Sequence, residues 1–246
     1  MKFVTPLVAG LLIRRHSRFL ADVELDCGQK ITAHTSNTGS MMGCQEPGSR
    51  VWLSVSNNPD RKYAHTWEII EVSSEGNPVL VGINTQLSNK LVAEGIGSNV
   101  IVDLQGYDAI RTEVKYGEEN SRIDLLLTSS VKTGAEGKGG VPCYVEVKNV
   151  TLAESGVASF PDAISKRGAK HLRELISVAR AGGRAVIFFC VQRGDVDRVR
   201  PADHIDKAYG EWLRRAVESG VEAIAYRAVV TPEEIVLHTK LPVVVD

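Results

Sequence analysis

The rhythm of the chain changes once, near residue 84, and that change limits what it can fold into. Before it, alternating segments such as ADVELD (21–26), SRVWLSVS (49–56) and HTWEIIEV (65–72) are separated by turn-formers at Gly28, Asn37-Thr38-Gly39, Pro47-Gly48, Asn57-Asn58-Pro59 and Gly76-Asn77-Pro78. A period of two with such punctuation predicts many short strands, and hence a small barrel, of which an OB-like fold is one candidate. After it, NTQLSNKLVAEGIGS (84–98) spaces Leu87, Leu91 and Ile96 as a helix that stops at glycines. Strand candidates follow in YDAIRTEVKYG (107–117), SRIDLLLT (121–128) and CYVEVKNVTL (143–152), the last two joined by a Gly-rich stretch (129–140) expected to be a hairpin loop. An amphipathic helix (165–183), a buried-looking strand RAVIFFCV (184–191), a second helix (204–220) and a strand (221–230) complete the pattern. The division predicts a barrel over 1–83 and an α/β domain over 84–246, α+β in the chain as a whole.

Charged residues interrupt the three strands where a core is expected. Glu113 breaks the first, Asp124 the second, and Glu146 with Lys148 the third. Side chains two apart on a strand point to one face, so neighbouring strands can gather these groups at a common end. Carboxylates gathered there repel one another unless a cation or the lysine neutralises them. Asp124 and Glu146 are the candidate ligands for Mg²⁺ (or Mn²⁺), with the Val147 carbonyl beside them and Lys148 placed to orient a water toward a phosphodiester. The plain alternative is a surface pair of Glu146 and Lys148 worth no more than about 1 kcal/mol. Val145, Val147 and Val150 favour the buried reading, in which unneutralised charge is expensive.

The formal net charge of the 246 residues is -1, so attraction to nucleic acid has to come from local patches. Four cysteines without paired spacing indicate reduced thiols. The N-terminal apolar run is short, broken by Pro6 and Gly10, and followed rather than preceded by Arg14, Arg15 and Arg18. That is the wrong order for a secretory signal, and no later run is long enough to span a bilayer; the expectation is a cytoplasmic protein without a membrane partner.

The order helix, three strands, helix, strand, with an Asp and then Glu-x-Lys on successive strands, resembles the PD-(D/E)xK nuclease fold, a restriction-endonuclease-like α/β domain. A more specific likeness is carried by HTSNTGSMMGC, RKYAHTWE, INTQLSNKLV, EVKYGEENSRIDLLL, YVEVKNVTLA, FPDAISKRGAKHLREL, AVIFFCVQR and HIDKAYGEWL. These strings, spread over nearly the whole chain, resemble the sugar fermentation stimulation protein A family. The resemblance implies an OB-like barrel followed by a nuclease-like domain, and a DNA-binding protein of little sequence preference connected with regulation of maltose metabolism. It also implies Glu113, Asp124, Glu146 and Lys148 as the nuclease-type positions. Two departures stand out: Ser36 where the barrel motif has proline, and the length of the loop before Cys143.

Residues 160–200 hold nine Lys or Arg against four acids. Lys166, Lys170 and Arg173 share a helix face, with Arg167 beside them, and such a face either pairs with phosphates or is simply solvated. A phosphate could also meet the backbone N–H groups where FPDAISKRG enters that helix. Arg14, Arg15 and Arg18 form a second basic group. With Arg61, Lys62, Tyr63 and Trp67 they could line a barrel face, although Trp67 is better assigned to the barrel core. His65, His171 and His204 show no ligand spacing and predict no zinc. Three readings stay open: non-specific DNA binding, Mg²⁺-dependent nuclease, and sugar-responsive regulator, the last with no helix-turn-helix to support it.

Overall fold

The computed structural model describes residues 1–117, 119–130 and 140–246; most of the predicted loop 129–140 lies outside them. Six strands make the N-terminal sheet: β1 (Val8–His16), β2 (Leu20–Leu25), β3 (Lys30–His34), β4 (Arg50–Val55), β5 (His65–Ser74) and β6 (Asn77–Gly82). Their order is β3-β2-β1-β4-β5-β6, and a parallel bridge from His34 to Thr66 joins β3 to β5, closing a five-stranded barrel that β6 extends as a hairpin. The apolar run that begins the chain is therefore β1, curled tightly against β2. A Cβ on Gly10 would stand 2.5 Å from the Glu24 carbonyl oxygen, so only glycine permits that approach. Leu12, Val23, Leu53, Trp67 and Ile70 fill the barrel. Trp67 is wholly buried and its indole N–H donates to the Ile69 carbonyl at 3.1 Å, which places it in the core and not on a binding face.

Past β6, Asn84 caps a short 3₁₀ turn that leads into α1 (Ser88–Gly97). A second six-stranded sheet contains β7 (Ala109–Tyr116), β8 (Ser121–Thr128), β9 (Cys143–Val150), β12 (Arg184–Val191), β14 (Glu222–Val230) and β15 (Ile235–Leu241), ordered β15-β14-β12-β9-β8-β7. Its centre, β9-β12-β14, is parallel and its flanks are antiparallel. The central strand β12 is apolar on both faces, as a strand covered on both sides must be. One face packs Leu125, Val145, Phe188 and Ile224 against Leu91 and Val92 of α1 and against Ile69 of the barrel. Ile69 of β5 thus carries the barrel's outer side into the core of the second sheet, while the barrel interior keeps its own cluster.

The other face packs Ile187 and Phe189 under α2 (Lys166–Arg180) and α3 (Lys207–Glu218). The buried carboxylate of Asp206 ties the two helix starts together, accepting from Ser165 N–H at 2.7 Å and Tyr209 N–H at 3.0 Å. A small third sheet, β10 (Ala153–Glu154), β11 (Val157–Phe160) and β13 (Arg198–Pro201), borders the barrel side. Among the described residues no helix is long and apolar enough to cross a membrane.

Candidate active site

The antiparallel register of β8 on β9 pairs Leu125 with Val145, Leu126 with Tyr144 and Leu127 with Cys143. One step further lie Asp124 and Glu146, where the backbone ladder stops. The Asp124 carboxylate enters instead: Oδ2 accepts the Val147 N–H at 2.7 Å and Oδ1 accepts from Asn89 Nδ2 at 3.1 Å. On β9 the alternation sends Val145 and Val147 into the α1 core, while Glu146 and Lys148 point the other way, beside Ile187 and Phe189 of β12. Lys148 Nζ donates to Glu146 Oε1 at 2.6 Å, and Glu146 is only 2% exposed.

A third partner comes from α2. His171, 5% exposed, sets its Nδ1 against the same Glu146 Oε1. Arg167 Nε donates to His171 Nε2 at 3.2 Å. Lys148 Nζ also stands 3.3 Å from Nδ1, but the tautomer with the proton on Nδ1 is the one that lets Nε2 accept from the donor-only Arg167 and Nδ1 donate to Glu146. Glu146 Oε1 therefore receives two donors, while Oε2, also buried, has no hydrogen-bond partner among the described residues.

Electrostatics mark the same corner. Burial, and then the charge of Glu146, push Asp124 up to about 6, against the pull of Lys148, the Val147 N–H and Asn89. Burial raises Glu146 too, but Lys148 and His171 outweigh it and hold this carboxyl below its ordinary range. Two adjacent carboxylates, one resisting ionisation and one with an orphaned oxygen, are short of positive charge. That donor set fits a small hard divalent cation.

The corner opens into a cavity of about 350 Å³ between the barrel and the second sheet, lined by Asp124, Lys148, Asn89, Arg167, Thr38 and Asp162 among others. The barrel loop that forms its far wall is docked firmly. Met41 N–H donates to Asp162 Oδ2 at 2.9 Å and Ser40 Oγ to the Asp162 carbonyl at 2.6 Å. A Cβ on Gly39 would meet the Asp162 carboxylate at 2.6 Å.

The structure brings Asp124, Glu146 and Lys148 together and leaves Glu113 out. Glu113 is exposed on the edge strand β7, with a left-handed φ of 54° that interrupts the pairing between Thr112–Leu125 and Val114–Ile123. Among the described residues it has no bond to the other three, and no group of three or more His, Cys, Asp or Glu could hold a metal ion. Two acids, not three, carry the corner. His171 shows no ligand spacing in the sequence; the signal that points to it is its place in the buried stripe of α2, beside Gly168, Leu172 and Leu175.

The basic residues divide. Arg15 turns inward and donates to the carbonyls of Asn37, Gly39 and Ser40 at 3.0–3.2 Å, its pKa lowered by burial, so it braces the loop and is not free for phosphate. Arg18 donates to Thr38 O, and Arg14, largely exposed, pairs with Asp22 at 2.8 Å. On α2, Lys166 and Arg167 are exposed. Lys170 donates to the Glu119 carbonyl, and Arg173 pairs with the Glu119 carboxylate at 2.9 Å.

A family model described as the sugar fermentation stimulation protein RE domain matches residues 86–234, and one for the SfsA N-terminal OB domain matches residues 13–83. The chain belongs to the sugar fermentation stimulation protein family. A homologue of that protein from Geobacter metallireducens is 57% identical over 244 residues, 99% of this chain and 100% of its own length. One from Thioalkalivibrio sulfidiphilus is 55% identical over 244 residues, 99% and 98% of the two chains. The solved structure of Pyrococcus furiosus SfsA in complex with Ca²⁺ is similar with a TM-score of 0.85 and 29% identity, covering 99% of this chain and 98% of that one. The SfsA barrel with an OB domain and a mixed α/β domain is thus the fold of this chain, as the sequence resemblance implied.

Proposed function

We propose that this chain hydrolyses phosphodiester bonds of nucleic acid with a divalent cation, Mg²⁺ or Mn²⁺, held by Asp124 and Glu146. The observation that carries the reading is the orphaned, buried Glu146 Oε2 beside a carboxyl pushed up to about 6, with an amine 2.6 Å from the other oxygen. The Pyrococcus relative is described in complex with Ca²⁺, which supports reading a divalent cation into this chain. A cation bound there supplies Lewis-acid stabilisation of charge on the phosphorus oxygens. The side chains supply the rest. Lys148 Nζ gives one proton to Glu146 and has two left to orient a water in the cavity. His171 fixes the Glu146 carboxylate so that Oε2, not Oε1, is the free oxygen. Arg167, at the cavity wall, is placed to meet a phosphate.

The substrate enters through phosphate contacts from the exposed cations Lys166, Arg167 and Arg14, and contacts to the backbone carry no sequence information, so DNA binding has little sequence preference. Non-specific DNA binding without cleavage is the second reading, favoured by the same exposed basic groups. A regulatory role in maltose metabolism would act through that binding; protection of one promoter in preference to random DNA is its test. Three of the four free cysteines are buried, which suits a reducing cytoplasm.

The reading is tested by incubating the purified protein with single- and double-stranded DNA and with RNA, plus Mg²⁺ or Mn²⁺. Cleavage is expected in the wild-type chain and not in Lys148→Ala. DNA binding by a wild-type chain that cleaves none of these substrates leaves the second reading standing.

A further inference from the structure

We propose that the groove between α2 and α3 is a second nucleic-acid contact, a clamp for a single strand that passes through the Asp124–Glu146 corner; it rests on the phosphodiester reading above. Lys166, Lys170, Arg173, Ser177 and Arg180 recur every three or four residues, so they form one stripe along α2. Its first end lies next to Arg167 at the cavity. Its last end lies in a groove of about 420 Å³ lined by Arg173, Arg180, Trp212 and Arg215, with Glu218 the one acid on its wall among the described residues.

At the centre of the groove is the Trp212 ring, with the Arg173 guanidinium 5.5 Å and the Arg215 guanidinium 5.1 Å from its centroid. Arg173 is held by Glu119. Arg180 and Arg215 are exposed and have no carboxylate partner among the described residues. They are therefore the two cations able to move onto phosphates, and Arg215 in doing so uncovers the indole for a base. An aromatic face flanked by one carboxylate-held guanidinium, Arg173, and one without a carboxylate partner among the described residues, Arg215, with Arg180 on the same groove wall, is chemistry that holds unpaired nucleotides; a duplex keeps its base faces stacked and cannot use the ring.

The length of α2 sets the reach. Arg167 and Arg180 are 13 residues apart, roughly 20 Å along a helix at 1.5 Å per residue. At about 3.4 Å per nucleotide of a stacked strand, that is about six nucleotides. Oligonucleotides shorter than this reach only one of the two places.

The experiment compares labelled dT4 and dT12 by fluorescence anisotropy, in Ca²⁺, on the wild-type chain, Trp212→Ala and the double change Arg180→Glu with Arg215→Glu. Both variants are expected to weaken dT12 by about 10- to 100-fold and to leave dT4 unchanged. The two arginines are exposed, so the double variant carries the test if Trp212→Ala fails to fold. Equal dT12 affinity in the wild type and the double variant overturns the clamp alone. If neither oligonucleotide binds the wild-type chain, the clamp falls together with the phosphodiester reading.

Discussion

Two buried glutamates, one in each half of the molecule, show what separates a structural charge from a reactive one. Glu68 in the barrel is 5% exposed, and both of its oxygens are satisfied: Ser54 Oγ donates to Oε1 at 2.6 Å and Asn84 Nδ2 to Oε2 at 2.7 Å. Burial raises its pKa, and its partners are neutral amide and hydroxyl groups. Glu146 in the second sheet is as deeply buried, yet two donors crowd one oxygen while the other has none. Glu68 is a closed network that fastens the barrel to the start of the 3₁₀ turn. Glu146 is an open one, and the unmet demand of Oε2 is what a ligand can satisfy.

The largest effect that sharpens this contrast is on chemistry. Lys148→Ala is expected to lower cleavage by about 10²- to 10⁴-fold, while Glu68→Gln leaves cleavage unchanged in the same assay. Next comes His171→Ala, which frees the Glu146 carboxylate to rotate. Divalent-cation affinity, read by titration calorimetry, is expected to fall about 10- to 100-fold, with the circular dichroism spectrum retained.

The barrel glutamate has the opposite profile. Glu68→Ala leaves Ser54 and Asn84 without their acceptor and is expected to cost about 1–3 kcal/mol in urea unfolding, with cation affinity untouched. Loss of cation binding in that variant would erase the distinction between the two halves.

The last contrast is a pH dependence. Asp124 ionises less readily folded, at about 6, than its ordinary value of 3.8. The folded state therefore holds a proton that the unfolded state has released between those values. Stability of the cation-free chain from this group is greatest below the ordinary value and declines as pH rises through about 6. Asp124→Asn removes the decline and should stabilise the cation-free chain at pH 8 by on the order of 2 kcal/mol, with little effect near pH 4. Thermal melts at the two pH values check the sign, and Mg²⁺ should recover the loss in the wild type only.

How much of this corner was legible in the chain follows from geometry. Asp124, Glu146 and Lys148 could be read because strand parity and an antiparallel hairpin are simple enough to project from sequence. Glu113 lies opposite Asp124 in the β7–β8 register, but on an exposed edge and with a left-handed φ of 54°, so strand parity alone does not say where its side chain goes. His171 reaches Glu146 across 25 positions through packing of α2 on the sheet, a contact with no local signature. Arg15 looked like a surface cation from its neighbours and became a loop brace only because β1 curls under residues 37–40. β1 itself was obscured by arginines that resemble the flank of a leader, and β10, β11, β13 and β15 were not singled out because they are short or sit at edges.

Whether Asp124 and Glu146 jointly hold one divalent cation is decided by calorimetric titration of Mn²⁺ or Ca²⁺ into the protein. One site per chain is expected in the wild type and in Glu68→Gln, and none in Glu146→Gln or Asp124→Asn. Undiminished binding in Glu146→Gln, or no binding in the wild type, would contradict the shared site.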